Sequence, residues 1–125
     1  MAEDRKFFIL KEEGEIGAVK IAEGVLTAMV GLAATEVKGV ASLAGNATYE
    51  MISKKGSKAL GKGVKVNMEG DTASFELAVN IDYGYSIPEV CSQVQERVKN
   101  AVESMTGLTV GAVDVKVAGV DMSEE

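Results

Sequence analysis

The chain has no histidine and no tryptophan, one cysteine (Cys91) and one proline (Pro88). Without imidazole there is no side chain that titrates naturally near neutral pH, no Ser-His relay and no histidine ligand for zinc. A lone cysteine makes neither an internal disulfide nor a thiolate cluster, and it suits reducing surroundings. Aromatics are only 5% of residues, so the Phe and Tyr side chains must serve the core before any can stack on bases or sugars. Positive charge is in deficit too. The net charge of −6 opposes binding to a phosphate backbone or a bare anionic bilayer.

Long apolar runs are missing as well. The longest, Gly24 to Thr35, is bounded by Glu23 and Glu36 and falls well short of the roughly 20 residues that span a bilayer. Phe7-Phe8-Ile9-Leu10 is too short for a secretory core, and Glu3 and Asp4 stand where a signal peptide would be basic. The expectation is a cytoplasmic protein without direct membrane insertion, held at the membrane, if at all, through a partner.

What is present suffices for one globular domain. At 125 residues, with 46% hydrophobic and 26% charged, the chain can bury a core built from Val, Ala, Leu, Ile and Met. Residues 1–13 read as a flexible arm with one short strand or docking segment, 14–120 as the domain and 121–125 as a flexible tail.

Along the domain the apolar period changes repeatedly. Glu15 to Ile21 gives a modest strand signal. From Ala22 to Val37, Ile21, Val25, Met29, Ala33 and Val37 recur at helical spacing, with Ala22, Leu26 and Val30 on the adjoining row. Gly24, Ala28 and Gly31 make a small-residue face, suited to packing on the domain's own sheet or to self-association, and Gly39 is placed to cap the helix. Val40 to Leu43 reads as a short strand. Asn46 to Leu60 reads as an irregular helix turning Tyr49, Met51, Ile52 and Leu60 inward. Val64, Val66 and Met68, then Phe75, Leu77, Val79, Ile81 and Tyr83, alternate with polar residues across Gly70-Asp71, the pattern of a hairpin.

Ser86 and Glu89 have capping-box spacing around Pro88 and open a second helix with Val90, Val94, Val98 and Val102 in one row, ending at Gly107. Val113, Val115 and Val117 alternate in a last strand. The predicted fold is α+β, a two-layer sandwich of a mainly antiparallel sheet with two helices on one face.

No reaction or cofactor is legible in this pattern. Gly56 to Lys62 has the spacing of a phosphate loop, yet Gly63 stands where a hydroxyl must hold magnesium, and a strand follows where a helix should open. Glu96, Asn100 and Glu103 fall on the wet side of the second helix, and Glu76, Asn80 and Asp82 on the polar face of a strand. None of them has the desolvated environment a catalytic acid requires. No metal or calcium loop is present in the sequence. Cys91, beside the valine row, reads as a small core residue without a base.

What stands out instead is a basic stretch, Lys54, Lys55, Lys58, Lys62 and Lys65, with no interleaved aromatic and no arginine. It is either a solvated loop, a docking patch for an acidic protein or lipid headgroup, or a nucleic-acid contact.

Tyr83-Gly84-Tyr85-Ser86-Ile87-Pro88-Glu89-Val90, Val94-Gln95 and the run Ala101 to Leu108 resemble the alkaline shock protein family of bacterial envelope-stress proteins. Val113 to Val120 is similar to that family's last strand. Ile21-Ala22, Ala33-Ala34, Glu36-Val37 and Gly39-Val40-Ala41 resemble its first helix, and Gly61 to Val66 its central strand entry. The resemblance implies a non-enzymatic, stress-associated scaffold or adaptor that binds protein partners, in a family of which some members are held at the membrane by a separate anchor protein and some self-associate into homo-oligomers. The other reading of the residues is an RNA-binding module using the Lys54–Lys65 loop.

Overall fold

The structure, a computed structural model, describes residues 6–60 and 63–122, and of Glu13 only the backbone. Phe7–Glu13 (β1) pairs antiparallel with Gly17–Ala22 (β2). The segment read as an arm therefore contains a strand from Phe7 onward, while residues 1–5 and 123–125 lie outside the described residues. This ribbon is a sheet of its own, separate from the main sheet. Phe8 and Leu10 reach the core from it, and Glu23 N–H donates to Lys6 O at 2.7 Å where the ribbon meets the first helix.

The main sheet is organised around Thr72–Asp82 (β5). Thr109–Asp121 (β6) runs parallel along the whole of one edge. The other edge is shared end to end by Val64–Glu69 (β4) and Val40–Leu43 (β3), both antiparallel to β5. Ala78 marks the seam, donating to Gly63 O at 3.0 Å and accepting from Ala44 N–H at 2.8 Å. The expected hairpin is β4–β5, turning through Gly70 at φ 61°. The last strand makes the sheet mixed, since the connection from β5 passes through a helix and returns parallel.

Two long helices, Glu23–Thr35 (α1) and Ile87–Thr106 (α3), lie on one face of that sheet, giving the two-layer α+β arrangement expected. The sheet turns Phe75, Leu77, Val79 and Ile81 toward them, and α3 answers with Val90, Val94, Val98 and Val102, all buried. Tyr83, expected to continue the inward row, stands 71% exposed because β5 ends at Asp82. Ser86 is the residue before α3 as expected, but its hydroxyl makes no cap bond, so the capping box does not form.

A third helix, Tyr49–Lys55 (α2), runs into a 3₁₀ turn at Gly56–Ala59. From this stretch Ile52 and Leu60 are buried, whereas Tyr49 and Met51 are exposed. Here the cap is real, with Thr48 Oγ1 accepting from Met51 N–H at 3.4 Å. Replacing Thr48 with Ala is expected to destabilise the chain by about 0.5–1 kcal/mol, readable as a small drop in urea midpoint.

Candidate functional site

Helix α1 carries no charge between Glu23 and Glu36, so it is apolar on every side. Such a helix belongs inside a protein. Only part of it is inside. Leu26, Thr27, Val30, Gly31, Ala33 and Ala34 are buried, but Val25 is 55% exposed and Ala28, Met29 and Leu32 are half-buried. Of the row Ile21, Val25, Met29, Ala33 and Val37, the first and last two are buried and Met29 packs partly on the core, so Val25 is the member that turns out.

The uncovered side forms the floor of an open groove of about 1140 Å³. Ala101 and Met105 of α3 wall it on one side, and Ser57, Lys58 and Leu60 on the other. Met105 is 70% exposed. At the α1 N-terminal end stand Lys6, Glu23 and Lys58. At the far end Glu36 is engaged by Arg97, whose Nη1 donates to Glu36 Oε1 at 2.7 Å. The groove thus has an apolar floor, a neutralised end and an end where Lys6 and Lys58 outnumber Glu23.

The small-residue face is turned to the chain's own α2 segment. A Cβ on Gly31 would lie 2.8 Å from Leu60 Cδ2 and 3.3 Å from Ile52 Cδ1 and Leu43 Cδ1, and one on Gly24 would lie 2.9 Å from Ser57 Oγ. These glycines let the α2 segment close onto α1. Gly24 and Ala28 both line the groove, whereas Gly31 does not.

The lysines do not make one patch. Lys54 and Lys55 end α2, Lys58 sits in the 3₁₀ turn, and all three are exposed on the helix side. Lys65 pairs across from Glu76 on the opposite, polar face of the sheet. Lys62, with Gly61, lies outside the described residues. Gly56, Ser57 and Lys58 form a 3₁₀ turn and Val64 opens a strand, so the near phosphate loop has no helix N-terminus behind it.

Burial pushes the Cys91 thiol up, which leaves little thiolate at neutral pH. Glu103 is used structurally, its Oε2 accepting from Val110 N–H at 3.1 Å. Asn80 Nδ2 donates to Ser42 Oγ at 3.0 Å. Among the described residues no three acidic or cysteine side chains stand together as metal ligands, and no helix is long and apolar enough to cross a membrane.

The groove escaped sequence reasoning because it joins Val25 and Met29 to Met105, far apart in the chain. The available signal was an excess of apolar positions on α1 over what one buried face can use.

Known proteins place this chain. A model of the alkaline shock protein 23 family, described by a cell envelope-related function, matches residues 11–122. YqhY of Bacillus subtilis is 33% identical over 109 residues, 87% of this chain and 81% of YqhY. Spy1535 of Streptococcus pyogenes is 34% identical over 106 residues, 84% of this chain and 80% of that protein. Among solved structures, a MamM CTD variant aligns with a TM-score of 0.47 at 14% identity, covering 77% of this chain and 94% of that one, a likeness that carries no argument about function. The match over nearly the whole domain and the two relatives lead to one conclusion: the chain belongs to the alkaline shock protein 23 family, a family of cell envelope-related function.

Proposed function

We propose that the protein is an adaptor in cell-envelope homeostasis, which seats an apolar, acid-tipped segment of a protein partner in the α1–α3 groove. The observation that carries this reading is the uncovered apolar side of α1, continued by Met105 across the groove. Exposed apolar surface rimmed by polar residues marks an interaction site, because burying it against a partner releases free energy at about 25 cal/mol per Å². Charge sets the direction of the partner. Glu36 is already paired with Arg97, while Lys6 and Lys58 against Glu23 leave the other end one positive charge in excess, which favours an acidic terminus there. The adaptor works by binding and needs no chemistry of its own.

The test uses exposed positions so that folding is spared. Val25→Glu combined with Met105→Glu places charge on the groove floor and wall. In affinity capture from bacterial extract, separated into membrane and soluble fractions, the pair is expected to reduce recovery of the wild-type partner by roughly thirtyfold or more. Lys58→Glu is expected to weaken recovery less and to flatten its salt dependence. Undiminished capture by the double variant, with an unchanged melting temperature, refutes the groove as the docking site.

A further inference from the structure

Within strand β6, Val110 to Val120 reads the same in both directions except at one charge pair. Reading outward from Val115, its residues match in pairs: Val113 with Val117, Ala112 with Ala118, Gly111 with Gly119 and Val110 with Val120, while Asp114 meets its opposite charge, Lys116. The backbone shares this symmetry. Odd-numbered residues of β5 turn their peptide groups toward β6, because Ala78 and Asp82 bond to the other side. In a parallel ladder the residue opposite an inward-turned one faces away. The register pairs Ala73, Phe75, Leu77, Val79 and Ile81 with Val110, Val113, Val115, Val117 and Val120. Those five therefore direct their N–H and C=O groups to the outer edge, and the register shifts on either side leave that set symmetric about Val115. Two side-chain bonds fit this assignment, Gln95 Nε2 to Val113 O at 2.9 Å and Val110 N–H to Glu103 Oε2 at 3.1 Å. Among the described residues β6 pairs with β5 alone.

We infer that the outer edge of β6 binds β6 of a second copy, antiparallel about a two-fold axis through Val115. In that register Val115 faces its own counterpart and Val113 faces Val117, each pair presenting outward N–H to outward C=O. Asp114 then lies opposite the second copy's lysine at 116 in the narrow type of pair, Cα atoms about 4.5 Å apart, which suits an ion pair. Gln95 occupies one lone pair of the Val113 carbonyl and leaves the second for the incoming strand. Both copies keep their helices on the same side, so one continuous sheet carries two α1 grooves facing one way. The pairing uses an edge that the groove does not touch and stands or falls separately from it.

Sedimentation velocity of the purified chain decides. The wild type is expected to form a dimer. Lys116→Asp sets Asp against Asp in both symmetry-related pairs and Asp114→Lys sets Lys against Lys, and each is expected to weaken the dimer about tenfold. The double swap, Asp114→Lys with Lys116→Asp, restores opposite charges and is expected to bring the dimer back. Val115→Pro removes an N–H that points away from β5, an edge position where proline is tolerated, and should give a folded monomer. A wild type that stays monomeric, or a dimer equally strong in all four variants, overturns the inference.

Discussion

Replacing Val98 with Asp is expected to unfold the chain at neutral pH and to let it recover in part on acidification. Val98 is 0% exposed, in the valine row that α3 lays on the sheet, and the buried residues of that core are almost all apolar. Its neighbours Arg97 and Lys99 are exposed on the outer side of the helix, so no cation is placed to pair with the new carboxylate. Burying it charged and unpaired costs about 4 kcal/mol or more, against a total stability of roughly 5–15 kcal/mol.

The pH dependence has a definite sign. Burial raises the folded-state pKa of the introduced acid above its unfolded value of about 4. The variant is therefore nearest to the wild type below that unfolded value, and the difference widens as pH rises through the folded pKa. Urea denaturation of variant and wild type from pH 4 to 8 measures the difference directly. Val98→Ala, which only leaves a cavity, is expected to cost about 2 kcal/mol at every pH. A pH-independent gap for Val98→Asp would mean that the position is hydrated.

Helix α3 shows when a sequence discloses its own burial. Its polar residues are numerous enough to mark the wet side, so the valine row can point only one way, and β5 declares its buried face by the same contrast at period two. Helix α1 lacks the contrast. With no charge from Gly24 to Thr35, several rows were equally fit to face the sheet, and nothing marked Val25 as the exposed member or Ala28, Met29 and Leu32 as half-buried ones. Strand β6 runs longer than its alternation because register shifts near Gly111 and Ala118 break the period. Both strands of the ribbon were signalled, one in residues 1–13 and one at Glu15 to Ile21, but not their pairing into a separate sheet. They pair with each other, and Ile9 and Val19 remain exposed, so no one-sided apolar face announces which partner each strand takes. The candidate site was legible only as ingredients, an overly apolar helix and a lysine such as Lys58 nearby. Joining them required the fold.

Gly39 was read as the cap of α1, yet the helix ends at Thr35 with Glu36 still in right-handed conformation. The glycine serves the next turn. Its φ is +102°, and a Cβ there would lie 2.8 Å from Val90 Cγ2 and 2.9 Å from Tyr85 Cδ2. Its carbonyl accepts from Asp82 N–H at 2.8 Å, which fixes the end of β5 against it. Gly39-Val40-Ala41 and Tyr83 to Val90 are distant stretches that both carry the family resemblance, and here they meet. The contact gives a physical reason for a glycine in one and a tyrosine in the other, since the ring lies where a side chain would be.

Gly39→Ala is accordingly expected to cost about 3 kcal/mol, part from backbone strain and part from overpacking, and to lower the melting temperature by roughly 10 °C. Gly45→Ala separates the two parts. Gly45 has φ +88° but nothing within 4 Å of the added carbon, so only the strain of about 1 kcal/mol applies. Combining Gly39→Ala with Tyr85→Ala removes one of the two groups that the methyl strikes, Val90 being the other, and the double variant should be more stable than the two single losses predict by about 1 kcal/mol. Equal losses for Gly39→Ala and Gly45→Ala would show that Val90 and the tyrosine both give way freely. The packing of Tyr85 on Gly39 would then hold nothing in place.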